Sequence, residues 1–400
     1  MTRLWEYMRI VSLTVSFLLL TLVPISAPLP ANDDSPPAHE EAAARPVREP
    51  EALKAFTDRL IAEGRDSAAH GIYVETLDGG EPIAALNEDT PFNPASVMKL
   101  ATSLAALDKL GPDYRFKTVF LSSGPAISNN GELDGDLILL SGEDPSFSIF
   151  DARRAGDELR QRGLRRVNGA LVVIGNFNCN HNSQTDISAG VLRRHLAIPI
   201  KESTRYESVL PPGTSQPLVT LESDQLINLV QQQNAHSVNS MADLLGNHIG
   251  GAAEVRRFLV EHLHLSSDSV YVSNPSGLDI NRLSPRATVA LVRLLVEWLK
   301  QHGYGPEAAM AVAGIEGGTL AGRFTDGDFA GSVIAKTGTL TSTDGGAAVL
   351  AGLAFTRERG PVIFAVYDMA EGRRVHSLRV QQDEFLKNLI LELGGPAGGV

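Results

Sequence analysis

The sequence predicts a fold that mixes helices and strands and carries a β-rich insertion. Helical periodicity begins near Glu51, and Asn93-Pro94 marks a second helix, because proline is tolerated in a first helical turn. Between residues 117 and 221 the pattern changes to short apolar runs separated by turns rich in glycine and asparagine. Residues 151–162 form the one helix expected there. Strand-like runs return at residues 331–336, 346–356 and 362–369, before an amphipathic helix over 376–393.

The N-terminus has the pattern of a secretory signal. Arg3 and Arg9 precede an apolar run that is short for a membrane span of about 20 residues, and small residues follow it. We therefore expect residues 1–27 to be a cleaved signal peptide rather than a retained anchor, with no stable membrane span afterwards. Residues 28–50 are rich in proline, alanine and acidic residues, which predicts a disordered spacer. These features predict export to the periplasm or another extracytoplasmic compartment.

The remaining chain is predicted to form a main domain, from residues 51–116 and 222–400, and an inserted α+β domain over 117–221. The formal net charge of −12 argues against a nucleic-acid partner, because phosphate binding requires a basic face. His262 and His264 lie two positions apart and would point to different faces of a helix. We therefore expect no metal and no cofactor. The oligomeric state is left open.

The first chemical signal is a serine and a lysine at the start of the second helix. Ser96 and Lys99 are three positions apart, so both side chains project from the same helical face. A serine hydroxyl becomes a nucleophile when a neighbouring base takes its proton, and a desolvated lysine can be that base. Serine and lysine are common, so this spacing alone is a weak indication.

The second signal is Ser237-Val238-Asn239, which we expect to open a helix. Such a pair can share a proton network with Lys99 and hold the peptide group of a substrate. Ser128-Asn129-Asn130 has the same spacing but lies in a polar turn, where both residue types are expected for backbone reasons. We therefore assign the role to Ser237 and Asn239. Taken alone, Ser237 is better explained as a helix N-cap.

The third signal is Lys336-Thr337-Gly338-Thr339, predicted to end a strand. A strand edge can present a cation and a hydroxyl to a substrate carboxylate, and Gly338 would let the substrate backbone approach. The amides of Thr339 and Ser96 would form an oxyanion hole, in which one donor is typically worth about two to three orders of magnitude in rate. A tight turn with an exposed lysine would explain this segment alone, but not three such segments in this order.

Together these segments resemble the acyltransferases that carry SxxK, SxN and KTG motifs, namely the penicillin-binding proteins and serine β-lactamases. The closer resemblance is to the D-Ala-D-Ala carboxypeptidase/endopeptidase family of class C low-molecular-mass penicillin-binding proteins, the penicillin-binding protein 4 type. It extends from about residue 90 to 370 and is carried by FNPASVMKLATSLAALDKLGPDYRFKT, LDGDLILLSGEDPSF, PSGLDINRLSPRATVALV, AGIEGGTLAGRF and GSVIAKTGTLTS.

The resemblance implies an α/β fold of the penicillin-binding and serine β-lactamase type. An antiparallel sheet from N- and C-terminal segments would pack helices on both faces, beside a helical subdomain. The resemblance also implies an acyl-enzyme formed with the penultimate D-Ala of peptidoglycan stem peptides, and acylation of the same serine by β-lactams. The motif match assigns a nucleophile, Ser96, a base, Lys99, a relay and positioning pair, Ser237 and Asn239, and a carboxylate clamp, Lys336, Thr337 and Thr339.

Some segments depart from the family pattern. GNFNCNHNSQTD stands where the family has an acidic residue, a phenylalanine and a Pro/Gly-Trp stretch, and only Phe177 is kept. Selection of the third stem residue is therefore open, as is the choice between terminal and cross-link cleavage. A serine β-lactamase or esterase is one alternative, against which stands the lack of Glu-x-x-Leu-Asn after Ser237-Val238-Asn239. A non-catalytic peptidoglycan-binding protein is another, motivated by the changed segments near Asn176 and Asp344.

Overall fold

The computed structural model describes residues 49–400, apart from 125, 316, 371, 373 and 399–400. The predicted signal peptide and nearly all of the predicted spacer lie outside the described residues. Within them, no helix is long and apolar enough to span a bilayer. Strands and helices are numbered along the chain.

The main sheet has six strands, all paired antiparallel. Its order is β10 (Ala311–Val312), β11 (Val333–Leu340), β12 (Ala347–Thr356), β13 (Gly360–Met369), β1 (His70–Thr76) and β2 (Pro82–Leu86). N-terminal and C-terminal segments therefore build one antiparallel sheet, as the resemblance implied. The short strands β2 and β10 were not predicted.

Helices cover both faces of the main sheet because its strands alternate buried side chains between two cores. Ile334 packs into one core, whereas Val333 and Ala335 pack into the other. The first core contains α2 (Met98–Leu110), α5 (Leu226–His236), α6 (Asn239–Ile249), α7 (Gly251–His262) and α8 (Pro285–Gln301). The second core contains α1 (Glu51–Ala62) and α9 (Val375–Glu392).

A second sheet is built from one continuous stretch of chain. Its order is β8 (Arg205–Glu207), β7 (Leu171–Ile174), β5 (Leu137–Leu140), β3 (Lys117–Ser122) and β9 (Val219–Glu222). The pairs β5–β7 and β7–β8 are parallel, and the other two are antiparallel. The parallel pair β4 (Glu132–Leu133) and β6 (Arg166–Val167) and the helices α3 (Ile149–Gln161) and α4 (Thr185–Leu196) complete this region.

The expectation of a single helix in this region was wrong. Helix α4 forms because Ala189, Leu192 and Leu196 lie three and four positions apart and bury one helical face. The many asparagines just before it concealed this periodicity.

Candidate active site

Ser96 lies in a short 3₁₀ turn, Ala95–Val97, that leads directly into α2. The turn is set by Ala95, which has a positive φ of 48° and donates its amide to Asn93 Oδ1 at 3.1 Å. Ser96 is half-buried, whereas Lys99 is fully buried beneath it. Lys99 Nζ lies 2.9 Å from Ser96 Oγ, so the two side chains meet as their spacing predicted.

Lys99 also contacts two oxygens that can only accept hydrogen bonds. Its Nζ lies 2.7 Å from Asn239 Oδ1 and 2.7 Å from the main-chain oxygen of Ser276. Burial lowers the pKa of Lys99 to about 7, and the negative charge of Asp243 opposes this effect. A neutral amine has two hydrogens and one lone pair. The two acceptors take the hydrogens, so the lone pair faces Ser96 Oγ and can accept its proton.

The loop that supplies Ser276 is held close to the serine turn. Its amide donates to Asp243 Oδ1 at 2.9 Å, and Thr102 Oγ1 donates to the main-chain oxygen of Pro275 at 2.7 Å. Gly277 has a φ of +78°, and a Cβ there would lie 2.0 Å from the main-chain oxygen of Ala95. Neither Ser276 nor Asp243 was predicted from the sequence to belong to the site. The glycine in Pro275-Ser276-Gly277 was the feature of the sequence that could have indicated a close approach between this loop and another segment.

Ser237 and Asn239 both reach the site but contact different lysines. Asn239 begins α6 and accepts from Lys99, whereas Ser237 Oγ accepts from Lys336 Nζ at 2.9 Å. Ser237 has a φ of 56° and ends α5, so the expectation that it opens the next helix was wrong. The left-handed conformation turns the chain from one helix to the other.

The competing pair, Ser128 and Asn130, forms a local turn. Ser128 Oγ contacts Asn130 and donates to the main-chain oxygen of Glu132 at 2.8 Å, and these contacts are exposed. The segment lies in the second-sheet region and takes the backbone role expected for it.

Lys336 to Thr339 form the last part of β11 before Leu340, as predicted, although the strand extends beyond the predicted range of 331–336. Strand β10 pairs only with Ile334 and Ala335, so among the described residues no strand covers the β11 edge from Lys336 onward. Lys336 is fully buried, and its Nζ donates to Ser237 Oγ and, at 2.7 Å, to the main-chain oxygen of Thr337. Burial and the nearby charge of Lys99 hold the pKa of Lys336 well below its usual range.

The structure explains the glycine at position 338 by a contact other than the expected one. A Cβ at this position would lie 2.7 Å from the main-chain oxygen of Pro94 and 3.0 Å from Ala95 Cβ. The glycine therefore lets the serine turn pack directly against β11. Close approach of a substrate backbone, the expected reason, is not needed to explain it.

An ion pair lies at the rim of the site. Arg282 donates to Asp344 at 2.6 and 3.1 Å, and Asn93 Nδ2 donates to the same carboxylate at 3.3 Å. These bonds join the loop after β11 to the residues just before Ser96. In the described part of the chain, no group of three or more His, Cys, Asp and Glu residues is placed to hold a metal ion.

The sheet, the helices and the serine–lysine pair between them define the fold of the penicillin-binding proteins. The chain belongs to the D-Ala-D-Ala carboxypeptidase 3 (S13) family, whose family model matches residues 53–204 and 191–389. The family is one of peptidases.

Individual proteins similar to this chain match it over short alignments or at low sequence identity. The chain is 30% identical over 112 residues to D-alanyl-D-alanine carboxypeptidase DacB of Haemophilus influenzae, an alignment that covers 28% of this chain and 23% of that protein. The structure of penicillin binding protein 4 from the same organism has a TM-score of 0.66 at 20% identity, covering 82% of this chain and 96% of the other. Penicillin G-acylated Bd3459, a predatory endopeptidase from Bdellovibrio bacteriovorus, has a TM-score of 0.67 at 22% identity, covering 82% and 93%.

Proposed function

We propose that this protein is a serine-type D-Ala-D-Ala carboxypeptidase or endopeptidase that acts on peptidoglycan stem peptides through an acyl-enzyme on Ser96. The observation that carries the proposal is the contact between Ser96 Oγ and Lys99 Nζ, at 2.9 Å, with the two other Lys99 contacts made to acceptors. This arrangement gives the serine a base whose pKa, about 7, suits proton transfer near neutral pH.

In the proposed reaction, Lys99 takes the hydroxyl proton while Ser96 Oγ attacks the carbonyl carbon of the penultimate D-Ala. The amides of Ser96 and Thr339 would stabilise the oxyanion. Collapse of the tetrahedral intermediate breaks the C–N bond, and Lys99 returns the proton to the leaving amine. Water then attacks the ester carbonyl. Lys99 accepts a proton from this water, and Ser96 recovers its own as the shorter peptide leaves.

The open part of β11 provides the surface for an extended substrate. A peptide can add to an uncovered strand edge through main-chain hydrogen bonds. Thr337 and Thr339 would bind the carboxylate of the leaving residue with Lys336 nearby, and Asn239 would hold the peptide group beside Lys99. The proposal includes an exported, extracytoplasmic protein whose residues 51–116 and 222–400 hold the site and whose residues 117–221 form an inserted domain.

The experiment is intact-mass spectrometry of the purified protein after incubation with benzylpenicillin. We expect an adduct of one drug molecule that maps to the Ser96 peptide and is absent from Ser96→Ala. Ser128→Ala is the matched control, because Ser128 belongs to the competing motif in a remote turn, and it should be acylated like the wild type.

The other outcomes separate the alternatives. Drug left intact with no adduct would refute the proposed function and favour a non-catalytic binding protein. Drug consumed with no accumulated adduct would favour a β-lactamase or esterase. A parallel assay of D-Ala release from a stem pentapeptide, and of cleavage of a cross-linked stem-peptide dimer, then distinguishes a peptidase, which cleaves at least one of the two, from an enzyme that hydrolyses only the β-lactam.

A further inference from the structure

The buried position of Lys336 raises the question of which cation meets a substrate carboxylate. Side chains alternate along β11, so Lys336 and Gly338 face the helices around α2, whereas Thr337 and Thr339 face the side covered by α9. The Lys336 amine has no exposed surface and donates to Ser237 Oγ and to the Thr337 main-chain oxygen. Its hydrogens are therefore engaged inside the protein, away from the two threonine hydroxyls.

A second cation lies on the threonine side. Arg379, in α9, donates from Nη2 to Thr339 Oγ1 at 2.6 Å and is half-buried. Among the described residues no carboxylate forms an ion pair with it. Asp383, an acid whose charge acts on Arg379, is held by Arg323 at 2.5 and 2.8 Å. Burial and the charge of Arg323 lower the pKa of Arg379, and the negative charge of Asp383 opposes this effect.

The contact with Thr339 also sets the direction of its hydroxyl. Because Thr339 Oγ1 accepts from the guanidinium, its own hydrogen is available to a second acceptor. A guanidinium has five donors in one plane and can bind a carboxylate with two of them while a third stays on the threonine. The pair therefore offers a carboxylate several donors at one end of the β11 edge.

We propose that Arg379, with Thr337 and Thr339, binds the free α-carboxylate of the leaving residue and the equivalent carboxylate of a β-lactam. This inference rests on the proposed function and adds to it the residue that supplies the charge. It makes the enzyme selective for peptide bonds whose leaving residue carries a free carboxylate next to the scissile amide. Substrates in which that carboxylate is amidated or esterified lose this contact.

The test compares acylation of Ser96 by benzylpenicillin and by its uncharged methyl ester. Charge-assisted hydrogen bonds contribute enough that Arg379→Gln should lower the second-order rate constant for benzylpenicillin by about 10- to 100-fold. The rate constant for the ester should change less than about twofold, because the ester has no charge to lose. Arg379→Lys keeps the charge without the planar donors, so its loss should be smaller and again confined to benzylpenicillin.

Arg357→Gln is the control, because Arg357 is an exposed arginine paired with Asp328 and far along the sheet from Thr339. It should leave both rate constants unchanged. Equal losses for both compounds in Arg379→Gln would overturn the inference and show that Arg379 only positions Thr339. Unchanged rates for both compounds would overturn it as well. An unacylated wild type would instead refute the proposed function, and the inference would fall with it.

Discussion

The two sides of the site place their charges differently. On the helix side, Lys99 and Lys336 are fully buried, and every contact of their amines is made to a protein oxygen. On the outer side, Arg379 is half-buried and, among the residues that the structure describes, its guanidinium donates to one hydroxyl, on Thr339. Burial lowers the pKa of an amine and prepares it for proton transfer, whereas a guanidinium stays charged and suits the binding of anions. In the proposed mechanism, the site thus separates proton transfer from substrate binding.

The two buried lysines also differ from each other. Lys99 has the negative charge of Asp243 near it, whereas Lys336 has the positive charge of Lys99. The same residue type therefore meets opposite electrostatic surroundings. This difference leads us to assign the proton acceptor to Lys99, whose lone pair faces Ser96, and an internal positioning role to Lys336.

The largest effect is expected when the base is removed. Lys99→Ala should lower the acylation rate by about two to four orders of magnitude, because Ser96 loses the group that takes its proton. The measurement is the second-order rate constant for a chromogenic β-lactam. Lys109→Ala is the control. Lys109 lies on the same helix and donates to the main-chain oxygen of Ile249 at 2.6 Å, outside the site. Comparable losses in both variants would show that the helix, rather than the base, was damaged.

A smaller effect is expected from filling the space at Gly338. Its new methyl group would meet the main-chain oxygen of Pro94 and Ala95 Cβ, so Gly338→Ala must push the serine turn away from β11. Overpacking of this kind typically costs about 1–3 kcal/mol of unfolding free energy. Denaturant unfolding checks the stability, and the acylation rate should fall with it.

Gly190→Ala provides the opposite case. Gly190 lies in α4, and no atom beyond its own helix lies within 4 Å of the place that a Cβ would take. Alanine should therefore stabilise the helix by roughly 0.5–1 kcal/mol.

If Gly338→Ala were as stable as the wild type and fully active, the close packing of the serine turn against the strand would not matter for the site.

The sequence predicted the parts of the site that depend on residue type and short spacing. Ser96 and Lys99 share one helical face, and Asn239 and Lys336 carry side chains that recur in such motifs. Ser276 was missed because its contribution is a main-chain oxygen, which any residue could supply.

Other contributions were hidden by tertiary structure. Arg379 lies 40 positions from Thr339 and reads as an ordinary polar residue of an amphipathic helix. Ser237 has the residue type of a helix N-cap, but its positive φ ends the preceding helix instead. The strands of the main sheet likewise divide into those that the sequence predicted and those that it did not. The strands β11 to β13 were predicted from their own apolar runs, whereas β2 and β10 are short and depend on neighbours for their pairing.

The smallest expected effect concerns the pH at which the site works. Lys99 must be neutral to accept the serine proton, and burial places its pKa at about 7. The acylation rate should therefore rise with pH through neutrality and level off above it, falling about tenfold per pH unit on the acid side. The charge of Asp243 raises the pKa of Lys99, so Asp243→Asn should move the rising limb to lower pH and increase the relative rate below neutrality.

The profile is measured with a β-lactam whose carboxylate stays ionised over the whole range, so that binding to Arg379 does not titrate. Asp268→Asn removes an exposed carboxylate from a remote turn and should leave the midpoint in place. A midpoint that moves to higher pH in Asp243→Asn, or does not move, would contradict the coupling between Asp243 and Lys99. A shift to lower pH would show that the buried side of the site sets the working pH, independently of the carboxylate-binding side.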